Sequence, residues 1–316
     1  MERDWDRITE LVSKVYKEYR LVSVERMGGL TNRTYHVTVK IPNDGERKEL
    51  AVRLPGMGTE EMIDRADEKK STQLAFMLGI EPHLFWFDAV TGEKVSAFIC
   101  EAATMHPADL RTRENILRVA QTFRKLHSCG QNTGVDFNPV QIAQTYENVI
   151  LRNEGELFEG YAEIKTFVNS LNEKYFSRVE KVPCHNDALC ENWMLQKNGT
   201  MFLIDWEYAG MNDPMWDLAD VSIEAELTPE MEELLMEAYL GHKAEKADWW
   251  RMSTNKIMID YLWSLWGKAR AVFEGPELEK YALVRWNRML ENMKKSGRRK
   301  LCIQGCQPGS CGRWIR

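Results

Sequence analysis

Hydrophobic and polar positions change rhythm several times along the chain, and each change marks an element. An amphipathic stretch over residues 3–18 predicts a first helix. Across residues 21–54 the period shortens to two, with Tyr35, Val37 and Val39 alternating against polar neighbours, and three strands are expected. The first two are joined by Met27-Gly28-Gly29-Leu30-Thr31-Asn32. A helical pattern returns over residues 59–78 and closes at Gly79. Two further strands follow near 84–88 and 95–101, separated by the turn Thr91-Gly92, which completes a five-strand, one-helix unit.

Beyond Pro107, Leu110, Ile116, Val119, Ala120, Phe123 and Leu126 recur at helical spacing, and almost everything as far as Glu180 is compatible with helix. Short β-like runs at 182–184, 193–196 and 201–205 interrupt this helical second half. Neither an internal repeat nor a long linker is evident. The expected fold class is therefore α+β, with a small sheet-rich front over residues 1–102, a larger and mostly helical back over 103–295, and a disordered tail over 296–316.

Composition narrows the partners. With 316 residues, 44% hydrophobic and 28% charged, the chain can bury two cores meeting at a cleft. A formal net charge of -6 argues against nucleic acid, because a phosphate-backbone binder needs surplus Lys and Arg. The N-terminus is charged from its second residue, and no run of about 18 apolar residues follows, so a cytoplasmic location and no membrane partner are expected. The seven cysteines are odd in number and scattered, which predicts reduced thiols. Cys302, Cys306 and Cys311 lack a nearby histidine and form an incomplete zinc set in the tail.

The chemistry concentrates in His185-Asn186-Asp187-Ala188-Leu189-Cys190-Glu191-Asn192 and in Phe202-Leu203-Ile204-Asp205-Trp206-Glu207. An aspartate followed five residues later by an asparagine is the spacing of a kinase catalytic loop. The second stretch adds a carboxylate at the end of an apolar strand. Phosphoryl transfer needs this combination: hard oxygen ligands for magnesium and one uncommitted carboxylate to accept a proton from the attacking hydroxyl. Either stretch alone reads equally well as turn residues, and His185 with Asp187 and Asp205 could be read as a metal hydrolase. The two in order, joined by a hairpin with the turn Asn198-Gly199, favour the kinase, and so does the front of the chain. Gly28 and Gly29 allow backbone amides near a phosphate, although the same turn alone could be a plain hairpin. Arg53 is a cation on an apolar strand, with Glu68 on the next helix as its candidate partner.

The segments GGLTNRTYHV, LAVRLPG, TFRKLH, PCHNDALCENWML and LIDWEYAGMNDPMWDLAD together resemble the choline/ethanolamine kinase family, in its bacterial choline-kinase form, within the aminoglycoside-phosphotransferase-like group. The resemblance spans residues 20–290 and is most specific over 183–220. It implies a bilobal protein-kinase-like fold that uses ATP and Mg2+. Asp187 matches the catalytic base, and Asn192 and Asp205 match the magnesium ligands, with Glu207 helping to hold the metal. Gly28, Gly29, Leu30, Thr31 and Asn32 would cover the phosphates, and Arg53, paired with Glu68, would bind them. Phe98, Ile99, Cys100 and Glu101, running on to Ala102, fall where adenine is recognised, and His127 matches a brace of the catalytic loop.

The acceptor is read in the same way. A quaternary ammonium donates no conventional hydrogen bond and is recognised by aromatic faces supported by a carboxylate. Trp263, Trp266 and Tyr281 match the family's choline-binding aromatics, and Glu224 matches its acidic partner. The two tryptophans, three apart on one helical face, would otherwise be read as core. The expected reaction is phosphorylation of choline to phosphocholine with release of ADP. Ethanolamine, another amino alcohol or an aminoglycoside is the alternative acceptor, and a choline-binding pseudokinase is the non-enzymatic alternative.

Overall fold

The computed structural model describes residues 2–27, 32–42, 45–56 and 63–296. Gly28, Gly29, Leu30 and Thr31 and the three late cysteines lie outside them. Contacts divide the chain into two compact units, Met1–Phe137 with Lys181–Lys243, and Asn138–Glu180 with Ala244–Arg316.

The first unit opens with helix α1 (Glu2–Val15) and strands β1 (Arg20–Arg26), β2 (Asn32–Lys40) and β3 (Arg47–Pro55). Helix α2 (Arg65–Met77) and strands β4 (Leu84–Phe87) and β5 (Lys94–Ala97) follow. The five strands form one antiparallel sheet in the order β1-β2-β3-β5-β4. Its pleat decides the chemistry of its two faces. Ile8, Leu11 and Val12 of α1 share a core with Tyr35, Val37, Val39, Leu50, Val52, Leu54 and Val95. Side chains alternate along a strand, so Ala51 and Arg53 point to the opposite face from Leu50, Val52 and Leu54. Helix α2 starts at Arg65 because the Asp64 side chain accepts from the Ala66 and Asp67 amides, so Ile63 and Asp64 are not helical as the apolar pattern predicted.

The same unit continues with β6 (Ala102–Thr104), α3 (Pro107–Leu110) and α4 (Arg113–His127). The second unit contributes α5 (Pro139–Arg152) and α6 (Tyr161–Lys174) before the chain returns with β7 (Val182–Cys184). A short 3-10 turn, Cys190–Asn192, leads to β8 (Trp193–Gln196), β9 (Met201–Leu203) and β10 (Gly210–Asn212). Strand β7 pairs with β10, and β6, β8 and β9 form a second small sheet. Strands β6 and β10 were not evident in the sequence, because three residues each of AAT and GMN show no alternation. Helices α7 (Pro214–Glu224) and α8 (Pro229–Leu240) complete the unit. Helix α7 is capped by Asp213, begins with proline and is buried along almost its whole length, which makes it a rigid backing for the loops described below.

In the second unit, α9 (Lys246–Glu274) packs on α10 (Pro276–Lys295) and on α5. Gly267 permits the close approach of α9 and α10: a Cβ there would lie 2.8 Å from the Tyr281 ring and 3.0 Å from Ala282. Among the described residues no helix is long and apolar enough to cross a membrane.

Candidate active site

The loop after β7 is held by its backbone. Asp217 of α7 accepts from the amides of His185 and Asn186, each at 2.8 Å, and from His127 Nε2 at 3.0 Å. Asp220, one turn further on, accepts from the Ala188 amide at 2.6 Å. His127 stacks on Phe123 and its other nitrogen meets Tyr239 at 3.0 Å, so the histidine sits between two helices and the loop. Asn186 adopts a left-handed backbone (φ 68), and its side chain donates to the Tyr208 carbonyl at 3.0 Å. Trp216 Nε1 donates to the Asn186 carbonyl at 3.0 Å. Asp187 is thereby carried on a peptide whose neighbours on both sides are anchored to α7.

Asn192 ties this loop to the segment carrying Asp205 through two contacts, one within the loop and one to that segment. Asn192 Nδ2 donates to the Asp187 carbonyl at 2.8 Å, and the Ile204 amide donates to the Asn192 carbonyl at 2.9 Å. His185 makes a third link: Nε2 donates to the Ile204 carbonyl at 3.0 Å, and Nδ1 lies 3.4 Å from the Asp187 amide. Burial lowers the pKa of His185, outweighing the attraction of Asp217, so the ring serves as a neutral bridge. Asp205 itself is left-handed (φ 69), a backbone that L side chains rarely adopt.

The sheet brings the cations. Arg53 is buried and ion-pairs with Glu68 through Nη1, donates from Nη2 to the Gly92 carbonyl at 2.7 Å, and places Nη1 3.6 Å from Asp205 Oδ1. Burial pulls the pKa of Arg53 down, but Glu68, Asp205 and Glu207 outweigh it and hold the guanidinium above its ordinary value. Glu68 is held below the usual carboxylate range, because Arg53, Lys94 and Arg65 together overcome its burial. Glu207 accepts from Asn32 Nδ2 at 3.1 Å and lies 3.3 Å from Arg65 Nη1. Burial, reinforced by the Asp205 charge, pushes Glu207 up to about 7. A second buried pair, Lys94 and Glu81 at 2.9 Å, lies beside this cluster. The residue before Glu81, Ile80, accepts from the Leu203 amide and so ties the turn after α2 to the Asp205 segment.

Asn192, Asp205 and Glu207 offer only oxygen, the donor set a hard cation such as Mg2+ takes. Among the described residues His127, Cys184 and Asp217 lie close enough to share an ion, but both Asp217 oxygens are already committed, and burial raises the Cys184 thiol well above its ordinary value. That group is a brace.

Along the segment after β5, the Phe98 amide donates to Glu49, Cys100 to Phe98, and Lys197 to the Glu101 carbonyl. Among the described residues no hydrogen-bond partner is found for the Ile99 carbonyl or the Glu101 amide. Glu224, at the end of α7, adds to the negative charge that, with burial, pushes the Cys190 thiol up to about 12. In the second unit Trp263, Trp266 and Tyr281 form a continuous edge-to-face series, with centroids 6.2 and 5.8 Å apart. Trp263 is buried, whereas Trp266 and Tyr281 are half-buried. The Arg285 guanidinium covers one face of Tyr281 at 4.9 Å, a contact the sequence did not suggest.

A five-stranded antiparallel sheet, a braced Asp-to-Asn loop and a left-handed Asp after a short hairpin fit a protein-kinase-like phosphotransferase. The chain belongs to the choline/ethanolamine kinase family, whose model matches residues 24–237. It is similar to the crystal structure of choline kinase LicA from Streptococcus pneumoniae, at 29% identity and a TM-score of 0.77 over 93% of this chain and 99% of that one. A choline/ethanolamine kinase family protein from Mesorhizobium loti is 31% identical, with a TM-score of 0.73 over 89% of this chain and 92% of that one. Ethanolamine kinase 1 of Mus musculus is 25% identical over 82% of this chain and 80% of its own length. The chain is an ATP- and Mg2+-dependent kinase that phosphorylates the hydroxyl of a small amino alcohol.

Proposed function

We propose that the acceptor is choline and the product phosphocholine. The observation that carries this reading is the aromatic series of Trp263, Trp266 and Tyr281, in which Trp266 and Tyr281 keep accessible surface. Rings so disposed suit a cation without N–H donors, each face contributing about 0.5 to 2 kcal/mol. Glu224 is the acidic residue assigned to attract the ammonium. A second reading, ethanolamine, is favoured by Arg285, which takes one face of Tyr281 away from any ligand.

In the proposed reaction Asp187 accepts the proton of the attacking hydroxyl and orients it toward the γ-phosphate. Arg53, fixed by Glu68 and the Gly92 carbonyl, holds the phosphates together with Asn32 and with Gly28, Gly29, Leu30 and Thr31, which lie outside the described residues. Asn192, Asp205 and Glu207 would hold the metal, and Mg2+ would supply charge neutralisation there. The free Ile99 carbonyl and Glu101 amide, within the segment from Phe98 through Cys100, recognise the base edge. In this reading residues 1–102 serve the nucleotide, 103–295 serve catalysis and the acceptor, and the enzyme is cytoplasmic. The test is ADP release with ATP and Mg2+ across choline, dimethylethanolamine, ethanolamine and an aminoglycoside. The proposal requires choline to have the highest kcat/KM. A reversed ranking transfers the assignment to ethanolamine, and no turnover with any amino alcohol rejects the enzyme.

A further inference from the structure

Arg65 has no role in the reading above, yet it is the second cation of the site. It is the first residue of α2, and its side chain is only 6% exposed. Its Nη1 donates to Glu68 Oε2 at 2.7 Å, while the other oxygen of Glu68 holds Arg53. Glu68 is therefore shared by two arginines, and each of them reaches one acid of the metal segment, Arg53 to Asp205 and Arg65 to Glu207. Both contacts to Glu207, from Arg65 at 3.3 Å and from Asn32 at 3.1 Å, fall on Oε2. Oε1 takes neither.

The turn between β4 and β5 is shaped around the same pair. Gly92 is left-handed (φ 77), and a Cβ there would stand 2.5 Å from Arg65 Cδ and Nε, while its carbonyl holds Arg53. A buried arginine stem pressed against a backbone turn has few alternative rotamers, so the guanidinium is fixed before any ligand arrives.

We infer that Arg65 is a positioning residue for the metal: with Asn32 it pins Oε2 of Glu207 and presents Oε1 to the divalent cation. The inference rests on the proposed metal role of Glu207. It makes Arg65 a determinant of cation affinity, distinct from nucleotide or acceptor affinity. Removing it frees Glu207 to rotate, and the cation loses a pre-oriented ligand.

The experiment is Mn2+ binding, followed by electron paramagnetic resonance of the free ion at saturating β,γ-imido-ATP, for the full chain and for Arg65→Met, Glu207→Gln and the double variant. Arg65→Met should weaken Mn2+ binding about tenfold, a loss typical of a removed outer partner of a metal ligand. Because Arg65 acts through Glu207, the double variant should bind no more weakly than Glu207→Gln alone. Wild-type Mn2+ affinity in Arg65→Met, or a double variant whose loss is the product of the two single losses, overturns the inference. Arg65→Lys keeps the charge on a shorter stem and covers the case in which the methionine variant does not fold. It should bind Mn2+ with intermediate affinity, and wild-type binding by it also overturns the inference. A wild-type chain that binds no Mn2+ with nucleotide rejects the functional reading itself.

Discussion

Asp217 is the residue on which the loop geometry most depends, and its removal should be felt in both stability and turnover. Its carboxylate is fully buried and accepts three hydrogen bonds, two from consecutive backbone amides and one from His127. In Asp217→Asn, the best orientation of the amide sets its NH2 against the Asn186 N–H and keeps an oxygen toward His185 and His127. One buried donor is then orphaned, at about 1–3 kcal/mol, and the remaining bonds lose their charge assistance, so the expected loss is about 2–4 kcal/mol. Asp217→Ala strands all three donors and should cost about 4 kcal/mol or more. The amides concerned lie one and two residues before Asp187, so the carboxylate proposed as the catalytic base shifts with them, and a displacement of about 1 Å suffices for roughly 10²-fold in rate. Urea denaturation followed by tryptophan fluorescence gives the first quantity, and kcat at saturating substrates gives the second. An Asp217→Asn protein within about 0.5 kcal/mol of wild type, with unchanged kcat, would refute the brace.

Other outcomes follow from the same geometry. His185 has a depressed folded pKa, so below about 6.5 the unfolded state takes up the proton first. Stability should then fall as pH drops, by about 1.4 kcal/mol per pH unit from this group, until the folded ring also protonates; denaturation midpoints for wild type and His185→Gln between pH 7.5 and 5.5 should diverge by that slope. Arg53→Met should raise KM for ATP and lower kcat, because it leaves Glu68 buried without its main partner, and Arg53→Lys should restore only part of both. Trp266→Ala should raise KM for choline about 3- to 30-fold, and Tyr281→Ala less, since Arg285 already covers one face of that ring; equal effects from the two variants would contradict this assignment of faces.

Those parts of the candidate site that lie close together in sequence were legible there. The five-residue step from Asp187 to Asn192 and the hairpin leading to Asp205 announced themselves. So did the odd cation in Ala51-Val52-Arg53-Leu54, whose pleat placed it away from the core side chains. Partners separated by long stretches of chain were not legible. Arg65 meets Glu207 across 142 residues and Asp217 meets His127 across 90, and neither arginine nor aspartate departs from ordinary helix composition. The start of α2 was misjudged because an apolar pattern does not register a cap, and Asp64 supplies one. Trp263 and Trp266, three apart on one helical face, read as core when taken alone. Their burial separates them, with Trp263 enclosed and Trp266 half-buried.

The central claim is that Asp187, Asn192 and Asp205 serve one phosphoryl transfer to an amino alcohol. Phosphorus-31 NMR of a reaction containing ATP, Mg2+ and choline tests it most directly, with wild type and Asp187→Asn compared at equal concentration. A phosphocholine resonance should grow in step with ADP for wild type, at a rate about 10²- to 10⁴-fold higher than for the variant. Phosphocholine formation at the same rate in both proteins would contradict it.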